Sequence, residues 1–264
     1  MKKFLFLKPH LKSISTHLMT RDKIYFLSDV HLGFPDFEKS LIRERKLVSF
    51  LDSIKENASS VFLLGDVFEF WFEWKRCVPR GHTRFLAKLA ELNDLGIKIY
   101  FFTGNHDIWI FDYLQQETGV EIVRKEMKIT LGNKKFLLAH GDGLGPFDKK
   151  FKMMKKLFTN RFAQKCFSLV HPNFAIGLAH FFSNESRYAL KDRTFKGNDN
   201  EWLVKYAKQV LLTEHFDYFI FGHRHLLLDI ELTPESRYIN LGDWISFFSY
   251  AVFEENQMVI KKWI

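Results

Sequence analysis

The chain has 264 residues, 47% of them hydrophobic and thirty of them phenylalanine, enough to bury one large domain or one domain carrying an insertion. Its formal charge of +8 favours anionic partners, whether nucleic acid, an acidic lipid surface or a phosphorylated substrate. Two widely separated cysteines, Cys77 and Cys166, exclude a disulfide framework and suit a reducing compartment, and no apolar run approaches the roughly 18–20 residues of a membrane-spanning helix.

Residues 1–22 read as an extension without a clear pattern. Its opening, MKKFLFLKPHLK, holds only FLFL between lysines, short of the roughly 7–15 apolar residues of a secretory signal. From residue 23 to 264, strands and helices alternate. KIYFLSD is a buried strand, and 37–54 has helical spacing. SVFLLGD is a second strand ending at Asp66, and HTRFLAKLAELNDLG is a helix stopped by Gly96. IKIYFFTGNHD, KKFLLAHGD and FDYFIFGHRH are three further strands with polar tips. LLLDIEL, SRYINLG and FFSYAVF close the chain as short alternating strands. The pattern predicts an α/β sandwich, two sheets flanked by helices, without internal repeats.

Residues 147–193 break this rhythm and contain no convincing strand. Phe147, Phe151, Met154, Phe158, Phe162 and Cys166 recur at steps of three or four, which predicts one shared helical face, while Lys149, Lys152, Lys155 and Lys156 fall mainly elsewhere. After His171-Pro172, NFAIGLAHFFSN is apolar nearly all round. The segment reads as a helical insertion over the sheet ends, its stripe either packing on the core or serving the site.

Five strands end at metal-type ligands: Asp29 and His31; Asp66; Asn105 and His106; His140; His223 and His225. An aspartate after one strand is ordinarily a turn or helix cap, and a lone histidine an ordinary surface or core residue. Five such endings in five buried strands point instead to one rim, because ligands collect at the carboxyl ends of strands in open α/β sheets. Asp and His with a neutral amide oxygen make mixed O/N sites for Mn, Fe or Zn. In an extended segment Asp-x-His points both side chains to one face, and the same holds for His223 and His225. Histidines 10, 17, 82, 171, 180 and 215 carry no motif and read as ordinary, and Trp71, Trp74 and Trp244 read as packing residues.

In that order DVH, GD, GNHD, HGD and GHRH resemble the motif set of the calcineurin-like metallophosphoesterases, across residues 29–225. The resemblance implies a four-layer αββα sandwich of two mixed sheets and two divalent metals. By motif position, Asp29, His31, Asp66 and His225 would hold one metal; Asp66, Asn105, His140 and His223 would hold the other, with Asp66 bridging. His106 would contact the scissile phosphate or help the leaving group, oriented by Asp107.

Further stretches, GDVFEFWFEW, HGDGLGPFDKKFK and NLGDWISFFSYAVF, together with an insertion of this size, resemble the UDP-2,3-diacylglucosamine hydrolases. That resemblance implies a manganese enzyme of lipid A synthesis, cytoplasmic and peripheral on the inner membrane of a Gram-negative bacterium. It would cut a lipid-linked nucleotide sugar at its pyrophosphate, with 147–193 as a lid that cradles the acyl chains. It implies neither a nucleic-acid partner nor an obligate protein partner. Asp148 and Phe151 sit where the family places polar and aromatic contacts to the sugar. Ser183, Asn184, Ser186, Arg187, Lys191 and Arg193 are candidates for sugar or phosphate contacts, or they solvate a loop. One position departs from the pattern: the best-matched hydrolases usually carry Arg after the Asn of the third motif, and this chain has His106. A phosphoesterase acting on a soluble nucleotide, phosphoprotein or nucleic acid is the alternative reading, and a binding module that has kept the fold but lost catalysis would lack several of the ligands.

Overall fold

The computed structural model describes residues 21–146, 149–179 and 194–264. The apolar runs become β1 (Lys23–Leu27), β2 (Ala58–Leu64) and β3 (Lys98–Phe102), which pair in parallel. Parallel β4 (Glu121–Val123) flanks them on one side. On the other side β10 (Ser249–Glu254) runs antiparallel to β1, and β11 (Gln257–Lys262) antiparallel to β10, giving the order β11-β10-β1-β2-β3-β4. The second sheet contains β5 (Met127–Leu131), β6 (Lys134–Ala139), β7 (Tyr218–Phe221), β8 (Leu227–Thr233) and β9 (Ser236–Leu241), ordered β5-β6-β7-β9-β8. Within it β6, β7 and β9 are parallel.

Side-chain alternation along the central strands produces the layers. In β2, Val61 and Leu63 pack beneath α1 (Phe37–Ile54) and α2 (Thr83–Asp94), meeting Leu47, Phe50, Phe85 and Leu89. Phe62 and Leu64 point the other way, into the space between the sheets, with Phe26, Phe136, Leu138 and Ile220. Phe26 stacks on Phe62 within its own sheet and on Phe136 across the gap, at 5.0 and 6.0 Å between ring centroids. On the far face of the second sheet, Leu203, Val204 and Ala207 of α7 (Trp202–Leu211) cover Leu137, Phe219 and Tyr238. The order is therefore helix, sheet, sheet, helix. Trp71, Trp74 and Trp244 are buried, as packing residues should be.

β4, β5 and β11 carry no recognisable sequence signal. All three lie at sheet edges, where one face is partly solvated and a continuous apolar run is not required. The short α3 (Tyr113–Thr118) follows the third motif.

Within 147–193 the described parts are α4 (Lys149–Phe158), α5 (Arg161–Ser168) and α6, helical over 172–179. Among the described residues, the single helical face expected from Phe147 to Cys166 is broken between Phe158 and Phe162. The Asn160 side chain accepts hydrogen bonds from the backbone N–H groups of Phe162 and Ala163 and so starts a new helix, which resets the phase of the stripe. Phe158 and Phe167 pack on Trp109, whereas Phe162 is 76% exposed and Cys166 is exposed.

Candidate metal centre

The carboxyl ends of β1, β2, β3, β6 and β7 meet at one rim, and all seven expected ligands are there. None of the Asp and His pairs reaches it by strand alternation. β1 has ended at Leu27, and Asp29 and His31 (φ 53° and 51°), Asp66 (51°), and His223 and His225 (67° and 50°) are all left-handed. Such backbone costs roughly 1–2 kcal/mol per non-glycine residue. Neighbouring loops brace it: Asp29 N–H donates to Gly65 O (3.1 Å), His31 N–H to Asp66 O (3.0 Å) and Gly222 N–H to His140 O (2.9 Å). The expected pairing of side chains is therefore correct, but coiled turns achieve it rather than extended strands.

Two glycines let the loops close. A Cβ on Gly104 would lie 2.2 Å from Asp66 Oδ1, and one on Gly222 would lie 2.5 Å from Asp29 Oδ2. Asp29 also joins the two sheets, since its Oδ2 accepts from the His223 backbone N–H at 2.9 Å.

The ligand atoms form two adjoining groups. In the first, His31 Nε2 stands 3.3 Å from His225 Nε2, and Asp29 Oδ1 lies 3.8 and 3.4 Å from those nitrogens. In the second, His140 Nε2 stands 3.2 Å from Asp66 Oδ2, 3.3 Å from Asn105 Oδ1 and 3.3 Å from His223 Nδ1. Asp66 Oδ2 is also 3.8 Å from His31 Nε2, so this one carboxylate faces both groups.

Hydrogen bonding at the opposite ring nitrogens decides what these atoms present. His31 Nδ1 meets Glu69 Oε2 at 2.8 Å, His225 Nδ1 meets Asp243 Oδ2 at 3.1 Å, and His140 Nδ1 meets Leu64 O at 2.8 Å. Each of these oxygens only accepts, so each Nδ1 carries a proton and each Nε2 is left facing inward, where it can meet a proton or a cation. Asp29 Oδ1 is buried and accepts no hydrogen bond. Lone pairs and carboxylate oxygens converging this closely repel one another. One shared proton would relieve one pair, whereas a cation in each group relieves them all. The donor set, carboxylate and imidazole with one amide oxygen, suits Mn, Fe or Zn, so these residues fit a pair of divalent metals.

Burial opposes ionisation of Asp29 and Asp66, yet His225 and His31 hold the first, and His140 and His106 the second, below the usual carboxylate range. Burial also disfavours charge on His140, but Asp66 overrides it and raises the ring to about 10, so without a cation its Nε2 takes a proton toward Asp66. His223 is pushed down to about 3, by burial and then by His140. Asp107 is pushed up to about 7, by burial and then by the charge of Asp66.

Asp107 directs its carboxylate to backbone N–H groups rather than to the His106 ring. Its carboxylate accepts from the N–H groups of Gly104 (2.7 Å), Val67 (2.8 Å) and Phe68 (3.3 Å), tying the second and third motif loops together. His106 instead has its Nδ1 3.0 Å from Glu69 O and its backbone N–H on Asp66 Oδ1 at 2.9 Å.

Four supporting contacts escape sequence reading: Glu69 on His31, Asp243 on His225, Asp142 on Lys155 of α4 (2.6 Å), and buried Glu201 on Arg224 (2.6 Å), the residue between His223 and His225. The available signal was an acidic residue inside an apolar stretch, as in VFEFWF and LGDWI, where a buried carboxylate requires a partner. Asp148, Ser183, Asn184, Ser186, Arg187, Lys191 and Arg193 lie outside the described residues, and for Phe151 only the helical backbone is described.

Comparison with known proteins gives the same direction. The sequence profile of the calcineurin-like phosphoesterases matches residues 22–227. The chain is 40% identical to a UDP-2,3-diacylglucosamine hydrolase of Porphyromonas gingivalis over 255 residues, covering 91% of this chain and 97% of that one. It is 27% identical to the Haemophilus influenzae protein of the same name, covering 83% and 90%, and 26% identical to that of Psychromonas ingrahamii, covering 88% and 94%.

Proposed function

Because the chain belongs to the calcineurin-like phosphoesterase family, we propose that it hydrolyses the pyrophosphate of UDP-2,3-diacylglucosamine, releasing UMP and 2,3-diacylglucosamine 1-phosphate. The observation that carries this reading is the nearly end-to-end match with the Porphyromonas hydrolase, in a chain whose ligand atoms converge as a two-metal centre requires.

Asp29, His31, Asp66 and His225 hold one divalent cation, and Asp66, Asn105, His140 and His223 the other; manganese is the metal of this reading. When bound, the pair supplies charge to phosphoryl oxygens and acidifies the attacking water. The chain's own residues do the rest. Glu69, Asp243 and the Leu64 carbonyl hold a proton on Nδ1 of His31, His225 and His140, so that each turns Nε2 toward the cations. His106, with Nδ1 on the Glu69 carbonyl, offers Nε2 to the scissile phosphate. Asp107 holds the loop that carries His106 and Asn105. Asp148, Phe151, Ser186, Arg187 and Lys191 serve the sugar and its phosphate.

Residues 147–193 act as the lid and the membrane-facing element. Met153, Leu157, Phe162, Leu169 and Phe174 are exposed on α4–α6, interspersed with Lys152, Lys156, Arg161 and Lys165. Apolar side chains among basic ones suit an anionic lipid surface, each basic group near it contributing about 1 kcal/mol. None of the described helices is long and apolar enough to cross a membrane. In this reading the protein attaches peripherally, on the cytoplasmic face of the inner membrane.

Incubating manganese-loaded protein with UDP-2,3-diacylglucosamine tests the reading. Release of UMP supports it. Turnover of a soluble diester with no UMP from the lipid substrate overturns it.

A further inference from the structure

A cavity of about 360 Å³ opens beside the metal centre, within the size range of small-molecule sites, and no metal ligand lines it. Its walls continue directly from the centre. One is the segment after His31, another is Phe70, next to Glu69, and the rest are the 79–82 loop and Ile176 of α6.

The lining is of two kinds. Phe34, Phe37 and Phe70 offer ring surface, and Phe37 is 73% exposed in the first turn of α1. Asp36, Arg80 and His82 offer polar atoms. Arg80 forms no ion pair among the described residues. Asp36 accepts the Lys39 N–H on one carboxylate oxygen, and the other, 3.6 Å from the Lys39 ammonium, can still accept from a ligand. The His82 ring leans on Phe68, and burial pushes it down to about 4, so at neutral pH it has one donor and one acceptor nitrogen.

An acyl chain would desolvate these polar groups without replacing their hydrogen bonds. The apolar surface that suits acyl chains lies on α4–α6 instead. A pyrimidine nucleoside matches both kinds of lining, with a ring face for phenylalanine and carbonyl, N–H and hydroxyl groups for Arg80, His82 and Asp36. We propose that this cavity is the nucleoside subsite, seating the uridine while the pyrophosphate lies on the metal centre. The proposal rests on the UDP-sugar reading above.

Calorimetric titration of the manganese-loaded full chain with UMP, and separately with inorganic phosphate, tests it in wild type, Phe37→Ala and Arg80→Ala. Both side chains are exposed, and phosphate binding reports an intact centre. Loss of a base-stacking or edge contact should weaken UMP about tenfold in each variant while phosphate affinity holds. Unchanged UMP affinity overturns the proposal, and so does a parallel loss of UMP and phosphate. If wild type releases no UMP from the diacylated sugar, yet its preference for UMP over phosphate depends on Phe37 and Arg80, the substrate reading falls and the subsite stands. If wild type releases UMP but the variants bind it normally, the subsite alone falls.

Discussion

His31 and His225 face each other through Nε2 at 3.3 Å, and each is held from behind by a buried carboxylate, Glu69 and Asp243. Two imidazoles in this relation cannot both donate, and with each Nδ1 held from behind the pair can share either a proton or a cation. The carboxylates keep the proton on Nδ1 and make Nε2 more basic. Glu69→Gln and Asp243→Asn preserve a hydrogen-bond acceptor but remove the charge. Each should weaken metal binding about 10–100-fold with the fold intact, as read by metal titration and circular dichroism.

The same crowding predicts that metal stabilises the chain. Manganese at 100 times its dissociation constant should add about 2.7 kcal/mol, raising the melting temperature, and a chelator should reverse the gain. In His140→Ala the second group loses the nitrogen that faces Asp66, Asn105 and His223, so most of the second-site gain should vanish. Equal thermal gains in variant and wild type would contradict the assignment.

Gly104→Ala isolates the close approach of two loops. The added methyl would fall 2.2 Å from Asp66 Oδ1 and push aside the one carboxylate that faces both groups. Metal stoichiometry should fall below that of wild type, while far-UV circular dichroism changes little.

His82 predicts an acid-dependent loss of stability. Burial lowers its folded-state value to about 4, whereas the unfolded residue keeps its ordinary 6.5. Between these values the unfolded chain binds the extra proton, so the His82 contribution is complete above pH 6.5 and disappears as pH falls toward 4. His82→Asn, which tolerates the left-handed backbone at φ 59°, should flatten that part of the profile in urea denaturation.

Trp109 ties α4 to the third motif loop, its Nε1–H donating to Phe158 O at 2.8 Å. Trp109→Phe keeps most of the ring packing and removes that bond, a loss of about 1 kcal/mol. Hydrogen exchange should quicken in α4 and α5, with the sheets unchanged.

The central strands were legible because they are buried on both faces, so Phe26, Phe62, Phe136 and their neighbours form unbroken apolar runs. The edge strands β4, β5 and β11 were not, since half-solvated strands tolerate polar residues. The candidate ligands were legible because each interrupts an apolar run with a residue that resists burial. Asp107 was visible as a residue but not in its role: nothing in GNHD shows that its carboxylate reaches across to Val67 and Phe68. The stripe from Phe147 to Cys166 misled, because periodicity does not reveal that Asn160 ends one helix and caps another.

The chain's own order of residues determined which strands are core, that their tips carry carboxylates and imidazoles, and that these tips come in five groups. Only the folded chain decided how the groups meet. Left-handed turns at Asp29, His31, Asp66, His223 and His225 aim the side chains, and Glu69 and Asp243 choose the tautomers. The reason is physical: burial and strand pattern are local properties encoded residue by residue. A lone pair's direction, by contrast, depends on partners distant along the chain, and packing alone brings those partners together.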